Sequence, residues 1–279
     1  MALEKSGDIL RDAYKDGYGV AMFNAFNYET VKLAIQKAEE LQKPVLIGFY
    51  PGWRHFIDYS VLAGIVKNCA SKVKVPIGMH LDHCTDFNEI MRAMKEGFTS
   101  VMYDGSILPF EENVKNTIEV VKAAKSLGVD VEAELGHVGA ASDLDSFTDS
   151  SKFTSVHDAE LFLDKTGCSS LAVAVGNAHG DYSRLPNLDL ERIAEISQAV
   201  KIPLVLHGGS GIPEEQVGEA VKCGIAKMNV ATDYFSAYYR AVKTYDSKPE
   251  SHKNMYSCAV GTQPDILMFL ENIINVMNP

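Results

Sequence analysis

The sequence predicts an α/β protein, a single closed (β/α)8 barrel of the TIM type. Three observations predict it. Eight short, nearly continuous apolar runs alternate with longer amphipathic stretches, the pattern of parallel strands covered on both faces. The chain has 279 residues, close to what such a barrel occupies. Residue types that bind metals or phosphate stand where six consecutive runs end, on the face where barrels of this class carry their sites.

The elements follow in order. Residues 1–15 are amphipathic and charged, without the apolar stretch and small-residue cleavage site of a signal peptide. The strand runs fall at 19–24, 44–49, 76–81, 99–104, 129–135, 170–176, 202–207 and 225–230. Helical patterns lie at 28–41, 60–71, 87–96, 111–127, 155–166, 189–199 and 214–223. Gly128 follows the fourth of these as a left-handed cap. Ser155 and Asp158 resemble a capping box with Asp in the Glu/Gln place, and Pro213 sits where a first helical turn tolerates proline. An open doubly wound sheet is the weaker reading, because no G-x-G-x-x-G follows the first strand.

Two segments break the rhythm. Residues 136–153 are rich in Gly, Ala, Ser and Asp, and a loop that long is either functional or disordered. A helical extension occupies about 246–279, polar at first and helical from about Pro264. It serves either as a dimer arm or as a helix covering the barrel. The expected organisation is one domain over 1–279.

Composition excludes several classes. With 46% hydrophobic and 23% charged residues, the chain has the make-up of a soluble globular protein. No apolar run is long enough to span a membrane. A formal net charge of −11 and the lack of a basic cluster argue against nucleic acid. Backbone N–H groups can still hold a small anion. Five cysteines and no C-x-x-C pair point to free thiols in a reducing, cytoplasmic compartment. Cys84, beside one of the motifs, reads as a small buried residue.

The strand ends carry the chemistry. The third ends His80-Leu-Asp-His83, the fourth Asp104-Gly-Ser, and the fifth carries Glu132-Ala-Glu134. The sixth runs into Gly176-Asn-Ala-His-Gly180, the seventh ends His207-Gly-Gly-Ser-Gly211, and the eighth Asn229-Val-Ala-Thr-Asp233. His83, His179 and His207 offer three neutral imidazoles, the donor set of a catalytic Zn2+ site with an open position. Glu134 is a candidate carboxylate ligand on the same rim. His80 lies deeper and reads as structural, and His55, His137, His157 and His252 read as solvated. The glycine-rich loop after strand seven and the Asn229-Val-Ala-Thr segment after strand eight match the usual barrel phosphate site, with Ser210 and Thr232 hydroxyls as further donors. Asp82 is either a proton donor and acceptor or a group that orients an imidazole. Neighbouring side chains alternate along a strand, so Asp82 and His83 both face the site only where the strand ends or twists.

Taken together, His80-Leu-Asp-His83, Asp104-Gly-Ser-x-x-Pro-Phe-x-Glu-Asn113, Glu132-Ala-Glu-Leu-Gly136, Ala178-His-Gly180, the run from Pro203 to Pro213 and Asn229-Val-Ala-Thr232 resemble the class II fructose- and tagatose-bisphosphate aldolases, in that family's order and over about residues 5–245. The resemblance implies that His83, His179 and His207 bind zinc and that Asp82 gives a proton to the aldehyde-derived oxygen. It implies that Gly180, Gly208, Gly209, Ser210, Asn229, Val230, Ala231 and Thr232 hold dihydroxyacetone phosphate, with Asn24 touching substrate. Asp104 and Glu134 match acids near the metal. A monovalent cation (Na+ or K+) near the phosphate loops and a homodimer or homotetramer are further implications. The implied reaction is reversible cleavage of a ketose 1-phosphate or ketose bisphosphate to dihydroxyacetone phosphate and an aldehyde.

Two departures qualify it. Where relatives read Gly-Gly-x-Glu-Asp, this chain reads Gly139-Ala-Ala-Ser-Asp143. Ser142 replaces the Glu that moves the carbon-bound proton, so Asp143 or another acid takes that role, or the half-reaction is slow. Residues 241–279 also lack the arginine that grips a distal phosphate. Arg54, in the loop Tyr50-Pro-Gly-Trp-Arg54, either binds a distal anion or packs on Trp53. These departures predict a distal group that is not an ordinary phosphate, such as that of a sulfonated sugar. The alternatives are a fructose- or tagatose-bisphosphate aldolase proper, a barrel metallohydrolase, and a non-catalytic phosphosugar-binding protein.

Overall fold

The structure, a computed structural model, describes residues 3–182, 184–249 and 252–278. Eight strands, β1 (Val20–Asn24), β2 (Val45–Phe49), β3 (Ile77–Cys84), β4 (Ser100–Tyr103), β5 (Asp130–Leu135), β6 (Ser170–Val173), β7 (Leu204–Leu206) and β8 (Ile225–Val230), close into a barrel in sequence order. All the pairings are parallel, including β1 with β8. Nearly every strand residue is buried, because one face of each strand packs on the helices and the other fills the barrel. Such strands read as continuous apolar runs rather than as alternating ones.

The helices form the outer layer: α1 (Ser6–Asp16), α2 (Tyr28–Leu41), α3 (Tyr59–Ala70), α4 (Phe87–Glu96), α5 (Phe110–Leu127), α6 (Asp145–Thr148), α7 (Val156–Thr166), α8 (Leu190–Val200), α9 (Glu214–Lys222), α10 (Thr232–Ser247), α11 (Met255–Gly261) and α12 (Gln263–Val276). Local chemistry sets their ends. Asn27 and Thr30 make a reciprocal capping box at α2, and Gly128 ends α5 in the left-handed region with φ 67°. Ser155 accepts from Asp158 N at α7, the half of the predicted box that the structure shows. Pro213 occupies the cap of α9 rather than its first turn.

Three segments shape the site from outside the repeating pattern. Helix α1 seals the N-terminal end of the barrel: Ile9, Leu10 and Ala13 pack on Val20, Met22, Leu46 and Ala226, and Gly7 N donates to Asp130. The C-terminal segment covers rather than reaches away. Buried Ile266, Leu270 and Ile274 join α12 to the main core, and Lys37 pairs with Glu271 at 3.0 Å. The loop after β5 is ordered. Ala140 bridges His179 like a short parallel strand, and Ala141 and Phe147 pack with Ala178 and Tyr182.

Candidate active site

The predicted residues converge at the C-terminal end of the barrel around a cleft of about 170 Å³. Asn24, Asp82, His83 and Asn229 line its floor. His179, Gly180, Gly208, Ser210, Ala231 and Thr232 line it from the loops after β6, β7 and β8, and Tyr50 and Trp53 from the loop after β2. A larger groove of about 920 Å³ runs along α4 past Lys5, Gly97 and Gly128, but it contains none of the predicted site residues.

Adjacent Asp82 and His83 both reach the cleft because β3 is irregular there. Its register with β4 shifts between Leu81 and Cys84, and His83 adopts φ 47°. A left-handed L-residue costs about 1–2 kcal/mol, and here it re-aims one imidazole past the normal alternation.

The three histidines meet. Ring nitrogens of His83, His179 and His207 all lie within 4.8 Å of one another. His83 donates from Nδ1 to Asp104 at 2.8 Å, while its Nε2 is buried with no hydrogen-bond partner. A buried nitrogen without a partner is costly, and a metal ion removes that cost. Burial and the neighbouring His83 and His207 push the His179 pKa down to about 4, which keeps that ring neutral. The His207 pKa is set by carboxylates on both sides of the ring. Burial would depress it, but hydrogen bonds from Nε2 to Glu132 (2.9 Å) and from Nδ1 to Glu134 (2.8 Å) outweigh burial. Its pKa is pushed up to about 10. Three imidazoles with Asp82, Asp104, Glu132 and Glu134 around them suit a divalent cation, and the nitrogen donors favour zinc over magnesium. His83, Asp104 and Glu134 form a second group with ligand-forming distances.

Asp82 is clamped between two amides. Asn24 Nδ2 and Asn229 Nδ2 each donate to one of its oxygens at 2.9 Å. Its Oδ1 lies 3.9 Å from His83 Nε2, too far for a hydrogen bond. Asp104, Glu132 and Glu134 are the groups that orient imidazoles here. Burial would raise the Asp82 pKa, yet His83, His207 and Lys227 together hold it below its usual value. Both asparagines leave Oδ1 buried and without a partner. Two acceptors therefore flank the carboxylate, open to hydroxyl donors of a ligand.

The two glycine-containing loops are tied together. Gly208 adopts φ +61°, and a Cβ there would lie 1.9 Å from Ala178 O. Tyr182 Oη donates to Gly208 O (3.0 Å) and accepts from Ala178 N (2.7 Å). Ser210 Oγ accepts from Asp233 N at 3.1 Å, and Asp233 Oδ2 accepts from Gly211 N at 2.8 Å. Gly209 lies against Met228. Val230 turns its side chain into the outer core, so only its backbone is available to a ligand.

Some predicted residues stand apart. Arg54 does not line the cleft: its Nε meets Glu89 at 3.0 Å, and Glu89 also accepts from Tyr59 Oη and Arg92. Asp143 is exposed, in a turn whose N–H reaches Ala140 O. His137 is exposed, as read, with its Nδ1 3.3 Å from Ser106 Oγ, which donates to Asp104. Sequence reasoning missed Lys227, Tyr182 and Asp233 as site residues, along with the Tyr50–Trp53 wall. A visible signal for the first was a charge in the middle of the apolar run Ile225–Val230.

Comparisons with known proteins agree with this geometry. Residues 4–272 match the family "Fructose-bisphosphate aldolase class-II". The sulfofructosephosphate aldolase of Alkalicoccus urumqiensis is 36% identical over 276 residues, covering 98% of this chain and 96% of that one. The crystal structure of the YdjI aldolase from Escherichia coli K12 superposes with a TM-score of 0.87 at 33% identity, over 99% of this chain and 97% of that one. A Coccidioides immitis protein proposed to be a fructose-1,6-bisphosphate aldolase gives a TM-score of 0.86 at 28% identity, over 98% and 96%. With three imidazoles gathered beside an amide-clamped aspartate, and with this match along nearly its whole length, the chain belongs to the class II fructose-bisphosphate aldolase family and is an aldolase, a carbon–carbon lyase.

Proposed function

We propose that the enzyme cleaves a ketose 1-phosphate whose far end carries a sulfonate, releasing dihydroxyacetone phosphate and a sulfonated aldehyde. The observation that carries the distal half is the lining of the cleft: among the described residues it includes no lysine or arginine. A phosphate monoester carries about −1.5 to −2 charges near neutrality; a sulfonate carries one. Tyr50 and Trp53 line the cleft and are assigned to that end on this reading, and the relative from Alkalicoccus urumqiensis bears the name of a sulfonated-sugar enzyme.

His83, His179 and His207 would hold a Zn2+ ion, with Glu134 and Asp104 within reach. When bound, zinc supplies Lewis-acid polarisation of a substrate carbonyl. The chain's own residues do the rest. Asp82 takes the hydroxyl proton as the carbon–carbon bond breaks and returns it to the aldehyde oxygen in the reverse direction. Oδ1 of Asn24 and of Asn229 accept from substrate hydroxyls. Gly180, Gly208, Gly209 and Ser210, with 229–232, position the phosphate, a non-reacting group whose binding orients the reacting atoms. Asp143, in the loop anchored on His179, is the acid assigned to the carbon-bound proton.

The reading extends to the surroundings. The Asp233 carboxylate puts negative charge beside the phosphate position, and a monovalent cation, Na+ or K+, would offset it. Tyr239, Met255 and Tyr256 stand exposed on α10 and α11, where a homodimer or homotetramer would cover them. Five free thiols suit the cytoplasm.

The test is a substrate panel with zinc-loaded protein, scoring release of dihydroxyacetone phosphate. Sulfofructose 1-phosphate should give the highest kcat/KM, with activity lost to a chelator and restored by zinc. Far faster cleavage of fructose or tagatose bisphosphate would refute the sulfonate assignment.

A further inference from the structure

The barrel interior holds a charged cluster below the cleft. Lys227 on β8 is 0% exposed. Its Nζ donates to both oxygens of Glu132, at 3.0 and 2.8 Å, and to His80 Nε2 at 3.4 Å. All three ammonium hydrogens are therefore used. His80 accepts at Nε2, so its Nδ1 carries the hydrogen and donates to Ser100 Oγ at 2.7 Å. Glu132 Oε1 also accepts from His207 Nε2 at 2.9 Å.

Stability does not account for this cluster. Barrel interiors are normally filled by branched apolar side chains. A buried ion pair replaced by well-packed apolar residues is often neutral or even stabilising. The position of the cluster does suggest a role, because one carboxylate oxygen joins the lysine to a proposed metal ligand.

We propose that Lys227 is a positioning residue for His207. By binding both oxygens of Glu132 it fixes the direction of that carboxylate. Glu132 then engages Nε2–H and holds the ring so that Nδ1 faces Glu134. Side chains behind a ligating imidazole fix its tautomer and its orientation. Lys227 does so through Glu132 and touches neither substrate nor metal. Its neighbour two positions along, Asn229, faces the cleft from the same strand, so β8 supplies both the Asp82 clamp and the support for His207.

This inference rests on the reading of the three histidines as zinc ligands. The test titrates apo wild type and Lys227→Met with zinc against a fluorescent chelator, and records the visible absorption of the Co2+-loaded proteins. Lys227→Met should lose roughly 10- to 100-fold in zinc affinity, the usual cost of removing such support, and its cobalt spectrum should shift. Lys227→Met/Glu132→Gln removes both charges but leaves an acceptor for Nε2–H, so it should recover part of the affinity. If the single variant does not fold, the double variant still reads the spectrum, which should differ from wild type. A lower Tm with wild-type zinc affinity and an unchanged cobalt spectrum would mark a purely structural ion pair and overturn the proposal. Wild-type protein that binds no zinc would instead overturn the metal reading beneath it.

Discussion

The two sides of the cleft are built differently. On the β6–β8 side polar groups are tied to one another by hydrogen bonds: Tyr182 to Ala178 and Gly208, Ser210 to Asp233, Asp233 to Gly211, and Asn229 to Asp82. On the β1–β2 side the wall is aromatic. Trp53 packs edge-on against Phe26, Phe49, Tyr50 and Phe235 at centroid distances of 5.4–5.9 Å. Hydrogen bonds fix donors and acceptors to within a fraction of an ångström, as a charged reacting group requires. Edge-to-face aromatics fix shape but no particular polar partner. Under the proposed function, the difference fits phosphate binding to the first side and choice of the aldehyde to the second.

The sharpest way to break that assignment is at the Asp82 clamp, where Asn229 of β8 meets β3. Asp82→Asn keeps the shape and removes the carboxylate. It should lower kcat about 10²- to 10⁴-fold, the range for loss of a general acid–base group. Zinc content and KM should change little. An Asp82→Asn enzyme with near-wild-type kcat would show that Asp82 only supports Asn24 and Asn229.

A smaller effect is expected one layer out. Tyr182→Phe deletes the hydroxyl that joins the loops after β6 and β7, leaving Ala178 N and Gly208 O without that partner. Leaving such groups unpaired costs roughly 1–3 kcal/mol. The loss should appear as a raised KM for substrates bearing the three-carbon phosphate, whatever the distal group. A change in kcat alone, at unaltered KM, would contradict a positioning role for this tyrosine.

The same contrast explains what could be read from sequence. Polar residues at strand ends stand out against apolar runs, so His83, His179, His207 and the two phosphate loops were legible as a set rather than one by one. The strands were legible because burial on both faces leaves them continuously apolar. Boundaries slipped where tertiary contacts intervene. β6 was expected to reach 176, but it ends at Val173, where Asn177 Oδ1 turns back to Val175 N and Gly176 adopts φ 98°. That turn delivers His179 to the site. The left-handed His83 could not be read, because it depends on a register shift against β4. Lys227 was missed for a related reason: a lone charge in a strand gains meaning only when the barrel brings Glu132 to it. Arg54 has ordinary surface composition on either reading, and only the fold shows it turned toward Glu89.

The aromatic side gives the mildest and most selective prediction. Tyr50 stacks edge-on to Trp53 at 5.7 Å, and its ring passes so close over Gly52 that a Cβ there would lie 2.3 Å from Tyr50 Cε1. Glycine at 52 therefore lets the turn bring the ring down beside the cleft. Tyr50→Phe keeps that ring and removes only the hydroxyl, which can donate to a distal anion. Tyr50 is 42% exposed, so water competes for this bond and its worth is held to that of an ordinary one, about 0.5–1.5 kcal/mol net, at 1.4 kcal/mol per tenfold. KM for sulfofructose 1-phosphate should rise by roughly 2- to 10-fold. KM for a ketose 1-phosphate with an uncharged far end should stay constant, as should zinc affinity. Equal losses on both substrates would place the Tyr50 hydroxyl in the service of the shared three-carbon half and remove the separation between the two sides.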